Sequence, residues 1–295
     1  MTSPILVTGG TGTLGRHVVQ RLRYAGRNVR VLSRRSRAAK DGIQFMTGDL
    51  ATGESIEAAV DGAMAIVHLA GSAKGDEDKA RNLVRAASRA GAQHLVYISV
   101  VGAERIPVVS GVDRAMFGYF ASKLAAEKVI EDSGLPWTTL RATQFHDLIL
   151  TVVQQMAKMP VIPVPAGFRF QPVDTGEVAA RLVELSLGKP SGLVPDIAGP
   201  RVYGMAELLR GYLRASKRRR RLIVPLWLPG KAAHVFRAGG NLAPERAVGH
   251  RSWEEFLADQ VRGPARHDGD AVGAPEDAGT DVSANPGSNV AATPR

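Results

Sequence analysis

The sequence predicts an α/β fold: a doubly wound parallel sheet with helices on both faces. Three observations carry that expectation. Short apolar runs alternate with stretches of helical apolar spacing over the first two-thirds of the chain. The first run opens into a glycine-rich turn, Thr8-Gly9-Gly10-Thr11-Gly12-Thr13-Leu14-Gly15. Glycines also stand just past several helix-like stretches, at Gly26, Gly62, Gly91 and Gly134, where a helix end needs a residue tolerant of left-handed backbone. Continuous apolar strands between helices are the signature of a parallel sheet buried on both faces.

In order, strands are predicted at 5–7, 29–32, 43–46, 65–70, 95–99 and 137–140, and helices at 16–24, 54–60, 79–89 and 121–132. Beyond Leu140 the pattern loosens, and 152–170 is rich in Pro and Met. Asp174-Thr175-Gly176-Glu177 has the form of a capping box and predicts a helix to about Leu187. Met205, Leu208, Leu209, Tyr212 and Leu213 mark another helix-like stretch. Residues 1–262 are therefore expected to form one dinucleotide-binding domain, with a small lobe from 144–170 and 192–262. From 263 onward Ala, Gly, Pro, Asp and Ser dominate, and a tail without fixed structure is expected.

Composition excludes several functions. The 295 residues include no cysteine, so there is no disulfide, thiol nucleophile or thiolate metal site, which fits a reducing cytoplasm. No histidine pair has metal-ligand spacing, and no metal is expected. No signal-peptide pattern opens the chain and no apolar run has membrane-spanning length. The net charge is +10; the tail holds two arginines against five carboxylates, so the body is more basic still. The densest run, Lys217-Arg218-Arg219-Arg220-Arg221, follows a helix-like stretch, where the dipole favours cations. It lacks neighbouring aromatics for base stacking, so nucleic acid is not expected as a partner. A small hydrophobic molecule is, bound by a monomer or homodimer.

The glycine turn carries the chemistry. Strand, glycine turn and helix together cradle a pyrophosphate, because the helix amides and dipole face the negative charge. Gly9, Thr11, Gly12, Thr13, Leu14 and Gly15 are the expected contacts. At the end of the second strand, an acidic residue would bind a free ribose 2′-hydroxyl. The chain instead has Ser33-Arg34-Arg35, with Arg37 close by. A guanidinium pairs with a 2′-phosphate, so NADP(H) is expected over NAD(H), with Arg34 and Arg35 as ligands. The alternative is a solvated arginine cluster. Further on, Tyr119 and Lys123 stand four apart, on one face of a helix expected to open there. An ammonium near a phenol lowers its pKa, and such a tyrosine exchanges protons with a carbonyl or hydroxyl oxygen. The alternative is a packing tyrosine and a solvated lysine.

With these motifs, the chain resembles the NmrA-like, NAD(P)H-binding branch of the short-chain dehydrogenase/reductase superfamily over residues 3–262. Gly48-Asp49-Leu50, Leu69-Ala70-Gly71 and the run from Ser133 to Phe145 add to the likeness. The resemblance implies that Asp49 and Leu50 flank the adenine, and that Leu69, Ala70 and Gly71 follow the ribose and pyrophosphate. It implies that Lys123 holds the nicotinamide ribose and that Thr143 and Phe145 lie beside the nicotinamide. Asp49 has a second role open to it, capping the following turn. Catalytic branches place a Ser or Thr just past the fifth strand; here Val100 stands there, with Ser99 before it. Ser99 is expected to touch the cofactor or to satisfy the strand end. Phe117, Phe145, His146 and Trp227 are candidate substrate contacts. Some relatives reduce quinones or dyes; others sense NADP(H) and bind proteins. The expected function is NADP(H)-dependent hydride transfer to a quinone-like or carbonyl acceptor, the alternative a non-catalytic sensor.

Overall fold

The computed structural model describes residues 3–72, 75–218 and 221–262. The segment 263–295, expected to lack fixed structure, lies outside the described residues, as do Arg219 and Arg220 of the basic run. The elements of the sheet half are β1 (Ile5–Thr8), α1 (Thr13–Tyr24), β2 (Val29–Ser33), β3 (Ile43–Thr47), α2 (Glu57–Val60), β4 (Ala65–His68), α3 (Asp76–Arg89), β5 (Leu95–Val100), α4 (Gly111–Glu131) and β6 (Trp137–Ala142). There follow α5 (His146–Met156), β7 (Val161–Pro165), β8 (Arg169–Phe170), α6 (Thr175–Leu187), β9 (Gly192–Leu193), β10 (Tyr203–Gly204), α7 (Met205–Ala215), β11 (Leu222–Leu226), α8 (Lys231–Arg237) and α9 (Trp253–Arg262).

Seven strands form the main sheet in the order β3-β2-β1-β4-β5-β6-β9, every neighbouring pair parallel. The strand order reverses between β1 and β4, so a crevice opens at the carboxyl ends of these strands. Alternate side chains of β1 serve opposite faces. Ile5 and Val7 pack with Val18 and Leu22 of α1 and Val178 and Leu182 of α6, whereas Leu6 packs with Leu83 and Ala87 of α3 and Ile130 of α4. The lobe has its own core, where Ile149, Val153, Leu208 and Leu209 surround Trp253, whose indole N–H donates to Leu208 O at 3.1 Å. Among the described residues no helix is long and apolar enough to cross a membrane.

Several elements differ from expectation. α4 begins ten residues before Ala121, at Gly111, with Ser110 and Asp113 forming a reciprocal capping box. The stretch 108–118 mixes valines and glycines, which obscures its helical period. Tyr119 therefore sits in the third turn of α4, not at its start. α2 is reduced to Glu57–Val60 because Glu54 instead pairs its carbonyl with Asp49 N, 3.0 Å away. α3 starts early, at Asp76: Asp76, Glu77 and Asp78 suit a helix N-terminus, which apolar spacing does not register. α5 fills a region expected to be irregular. Asp174 caps α6 as expected, accepting from Gly176 N and Glu177 N. Glu177 does not close the box; it accepts from His250 N (3.0 Å) and Arg251 N (3.3 Å), tying α6 to the chain before α9.

Candidate active site

The turn after β1 leaves room for nothing larger than glycine at two positions. Gly9 has φ +71°, and a Cβ there would lie 2.8 Å from Ala70 N and Leu69 C. A Cβ on Gly15 would stand 2.1 Å from Gly9 O. The α1 N-terminus follows at Thr13 with no side-chain cap, so its first amides face the crevice unblocked. The opening is a cradle of bare backbone, which fits a dinucleotide pyrophosphate.

Beneath the turn, the ends of β1, β4 and β5 are joined by a buried polar row. Thr8 Oγ1 and His68 Nδ1 share a hydrogen bond of 2.7 Å, and the His68 ring stacks on Tyr97 at 5.3 Å. Burial, then the nearby Lys123 charge, lowers the His68 pKa to about 3, so the ring is neutral. The Lys123 ammonium lies 3.3 Å from Asp76 Oδ2 and donates to Ile98 O (3.2 Å) and Tyr97 Oη (3.3 Å). Asp76 opens α3, is almost wholly buried, accepts from Ser72 N at 2.8 Å and pairs with Lys79 at 3.2 Å. Burial lowers the Lys123 pKa, and the Asp76 carboxylate opposes that shift. Asp76, His68 and Tyr97 were not among the residues the sequence singled out. They come from three separate elements, and only the strand order brings them together.

Tyr119 stands one turn above Lys123, with the ammonium 5.8 Å from its ring centroid. The expected lowering of the phenol pKa is not what the structure gives. Although Tyr119 is 39 % exposed, loss of water around its hydroxyl first, then the Asp76 carboxylate, pushes its pKa up to about 12. The lysine charge is spent on Asp76, so Tyr119 is a phenol across the ordinary pH range.

A cavity of about 900 Å³ opens at this point. Its wall joins Leu14, Leu69, Gly71, Ser99, Tyr119, Lys123, Thr143 and Phe145 to an aromatic group from the lobe and α4. In that group Phe168 stacks on Phe236 at 4.6 Å and Phe117 lies 5.7 Å from Phe236. Ser99 belongs to the wall, and its buried hydroxyl has no hydrogen-bond partner among the described residues. Val100 lines the wall beside it and brings no donor. Thr143 spends its hydroxyl on Gln171 O at 2.6 Å. Phe168, Phe170 and Phe236 were missed, because scattered phenylalanines carry no spacing that distinguishes a wall from a core.

Other expected residues lie elsewhere. His146 is fully buried beneath the lobe, stacked on Phe256 at 5.0 Å and Trp253 at 6.0 Å, away from the cavity wall. Trp227, just past β11, is 66 % exposed under the Arg237 guanidinium, while its neighbours Leu226 and Leu228 line the cavity. Asp49 Oδ1 accepts from Ala51 N at 2.9 Å, the turn-capping role, and Leu50 is buried. Arg34 and Arg35 follow β2 on the surface. Thr11 lines a second cavity of about 530 Å³ with Arg16, Arg23 and Arg37. Thus Arg37, not Arg34 or Arg35, shares a hollow with the glycine turn.

Known proteins are similar to this chain in sequence and in fold. The sequence profile of the NAD(P)H-binding family matches residues 9–160. The chain is 30% identical to a ceramide reductase of Caulobacter vibrioides over 239 residues, 74% of this chain and 72% of that one. It is 26% identical to an NAD(P)H azoreductase of Xenophilus azovorans, over 72% and 74% of the two chains. Its fold matches that of an NADPH-dependent quinone oxidoreductase of Escherichia coli complexed with NADPH, with TM-score 0.72 and 19% identity over 86% of this chain and 98% of that one. A bare-backbone cradle at the switch point of a parallel sheet, matched by the profile over that same region, places the chain in the NAD(P)H-binding family.

Proposed function

We propose that the protein is an NADP(H)-dependent oxidoreductase acting on a hydrophobic quinone-like or carbonyl acceptor. One observation carries this reading: a single cavity is walled on one side by the strand-end residues below the glycine turn and on the other by phenylalanines. When bound, the nicotinamide coenzyme supplies a hydride to the acceptor. Gly9 to Gly15 would hold its pyrophosphate, Lys123 its ribose hydroxyls, and Ser99, Thr143 and Phe145 the wall beside its ring. Phe117 and the lobe phenylalanines would hold a flat apolar acceptor and exclude water from it. Tyr119, kept protonated, would donate to the acceptor oxygen as charge develops there. Val100 gives that oxygen no second donor, which suits a conjugated acceptor that needs positioning more than oxyanion stabilisation. The names of the reductase relatives agree with this chemistry.

The preference for NADP(H) rests on Arg37, which shares a hollow with the glycine turn, and on Ser33-Arg34-Arg35 standing where an acidic residue would end β2. The non-catalytic sensor has one observation in its favour: the Lys123 ammonium is turned to Asp76 and the Tyr119 phenol is not activated. A steady-state assay of NADPH oxidation with a series of quinones and aldehydes separates the two. Turnover above background that falls in Tyr119→Phe supports the enzyme. Tight NADPH binding with no turnover on any acceptor supports the sensor, and tighter binding of NADH than NADPH removes the cofactor assignment.

A further inference from the structure

β7 and β11 form a parallel ribbon outside the main sheet, pairing Val161 with Leu222, Pro163 with Val224 and Pro165 with Leu226. Successive side chains of a strand point to opposite faces. Ile162, Val164 and Ile223 pack inward on the lobe core. The six residues of those three pairs make the other face, and all six are apolar. Leu222 is 63 % exposed, Val224 41 % and Leu226 52 %. A ribbon that met only water would be polar here. Pro163, Pro165 and Leu226 also line the large cavity, so this face continues into its mouth, where exposed Met116 and Leu148 stand as well. Single exposed apolar residues are ordinary, but a contiguous apolar surface with a charged rim marks an interaction site. The rim is basic: Lys217, Arg218 and Arg221 are exposed just before β11, and Lys158 just before β7. The exposed Trp227 follows β11 directly.

We propose that this face rests on an anionic lipid surface, with the cavity mouth opening toward the acyl chains. The ribbon side chains and Met116 enter the boundary of the hydrocarbon, Lys and Arg meet lipid phosphates, and Trp227 takes the headgroup level its amphipathic ring favours. Charge and geometry favour lipid over a second copy of the chain. A two-fold contact with the two ribbons aligned sets these basic residues against their own counterparts, and a two-fold contact through this face in either orientation closes the mouth. Nucleic acid offers phosphate but nothing for six apolar side chains. Docking stands on the ribbon alone; its purpose, drawing a hydrophobic acceptor from the bilayer, rests on the reductase reading.

The test is co-sedimentation of the full chain with phosphatidylcholine vesicles, with and without about 30% phosphatidylglycerol. Wild type is expected to bind the anionic vesicles at least about tenfold better than the neutral ones, and less well as salt rises. Leu222→Asp/Val224→Asp and Arg218→Glu/Arg221→Glu are each expected to lose about tenfold or more in binding, with melting temperature and NADPH-induced thermal shift unchanged. No binding to anionic vesicles, equal binding by the variants, or a homodimer that the aspartate pair dissociates would overturn the proposal. Turnover of a water-soluble short-chain quinone tests the other reading separately: vesicle binding lost in the variants, with no turnover by wild type, leaves docking intact and removes the reductase.

Discussion

Asp76 and Lys123 make the buried charged pair of the candidate site. Both are almost wholly buried, 3.3 Å apart, and removing one partner leaves the other charge uncompensated. Asp76→Asn is expected to cost about 3 kcal/mol of stability, read as a shift in the urea midpoint, and to weaken NADPH binding through a displaced Lys123. An unchanged midpoint would show that the pair is not coupled. Tyr119→Phe is expected to lower kcat by about a hundredfold or more on a carbonyl acceptor, with NADPH affinity kept. Because its pKa is pushed up to about 12, Tyr119 stays protonated and contributes no alkaline limb to the rate profile between about pH 7 and 10. A fall in rate with a midpoint in that window would contradict the geometry. Tyr119 and Lys123 were legible in the sequence because four residues on a helix are always neighbours. Asp76 was not, because its partner lies 47 residues further along the chain and only the packing of α3 on α4 joins them. His146 and Trp227 were misplaced for a related reason: residue type says that a ring wants cover, not which wall provides it.

Among the elements, the β1–turn–α1 unit was readable almost to the residue, since its signal is local and steric. Gly15→Ala tests it. The added Cβ would stand 2.1 Å from Gly9 O, so α1 must move off the sheet. The expected result is loss of NADPH binding together with about 1–3 kcal/mol of destabilisation, as for other overpacked sites; calorimetry and a thermal melt measure the two effects. Wild-type affinity would mean that the turn yields without reorganising. The α6 cap was likewise legible, but only half of it. Asp174 is fixed by three adjacent residues, whereas the true partners of Glu177 are His250 and Arg251, more than seventy positions on. The start of α4 and the whole of α5 escaped because neither owes its existence to a clean apolar stripe. α4 is set by the Ser110–Asp113 box, and α5 by the lobe core that Ile149 and Val153 enter.

The molecule as a whole should be sensitive to acid. His68 and His146 are fully buried, with pKa values lowered by burial to about 3 and about 4. Both are neutral in the fold, while the unfolded chain takes up protons below about pH 6.5, so stability is intact above that pH and declines as pH falls toward the folded values. Between about pH 7 and 5 the two together withdraw on the order of 4 kcal/mol. His146→Phe keeps the stacking on Trp253 and Phe256 and is expected to remove about half of that acid loss; urea unfolding at both pH values measures it, and an equal loss in the variant would place the sensitivity elsewhere. The parallel sheet was visible from alternation alone, yet the lobe was not, since its short strands and helices are held by contacts between distant segments. α4 spans both parts. Its early turns place Met116 at the cavity opening, its middle carries Tyr119 and Lys123, and its last turns are anchored by Ala126 and Ile130 against the sheet. Entrance and proposed proton donor thus ride on one helix that is packed at both ends, by Phe117 and Phe120 against the lobe phenylalanines and by Ala126 and Ile130 against the sheet, so whatever displaces its early turns also re-aims the phenol.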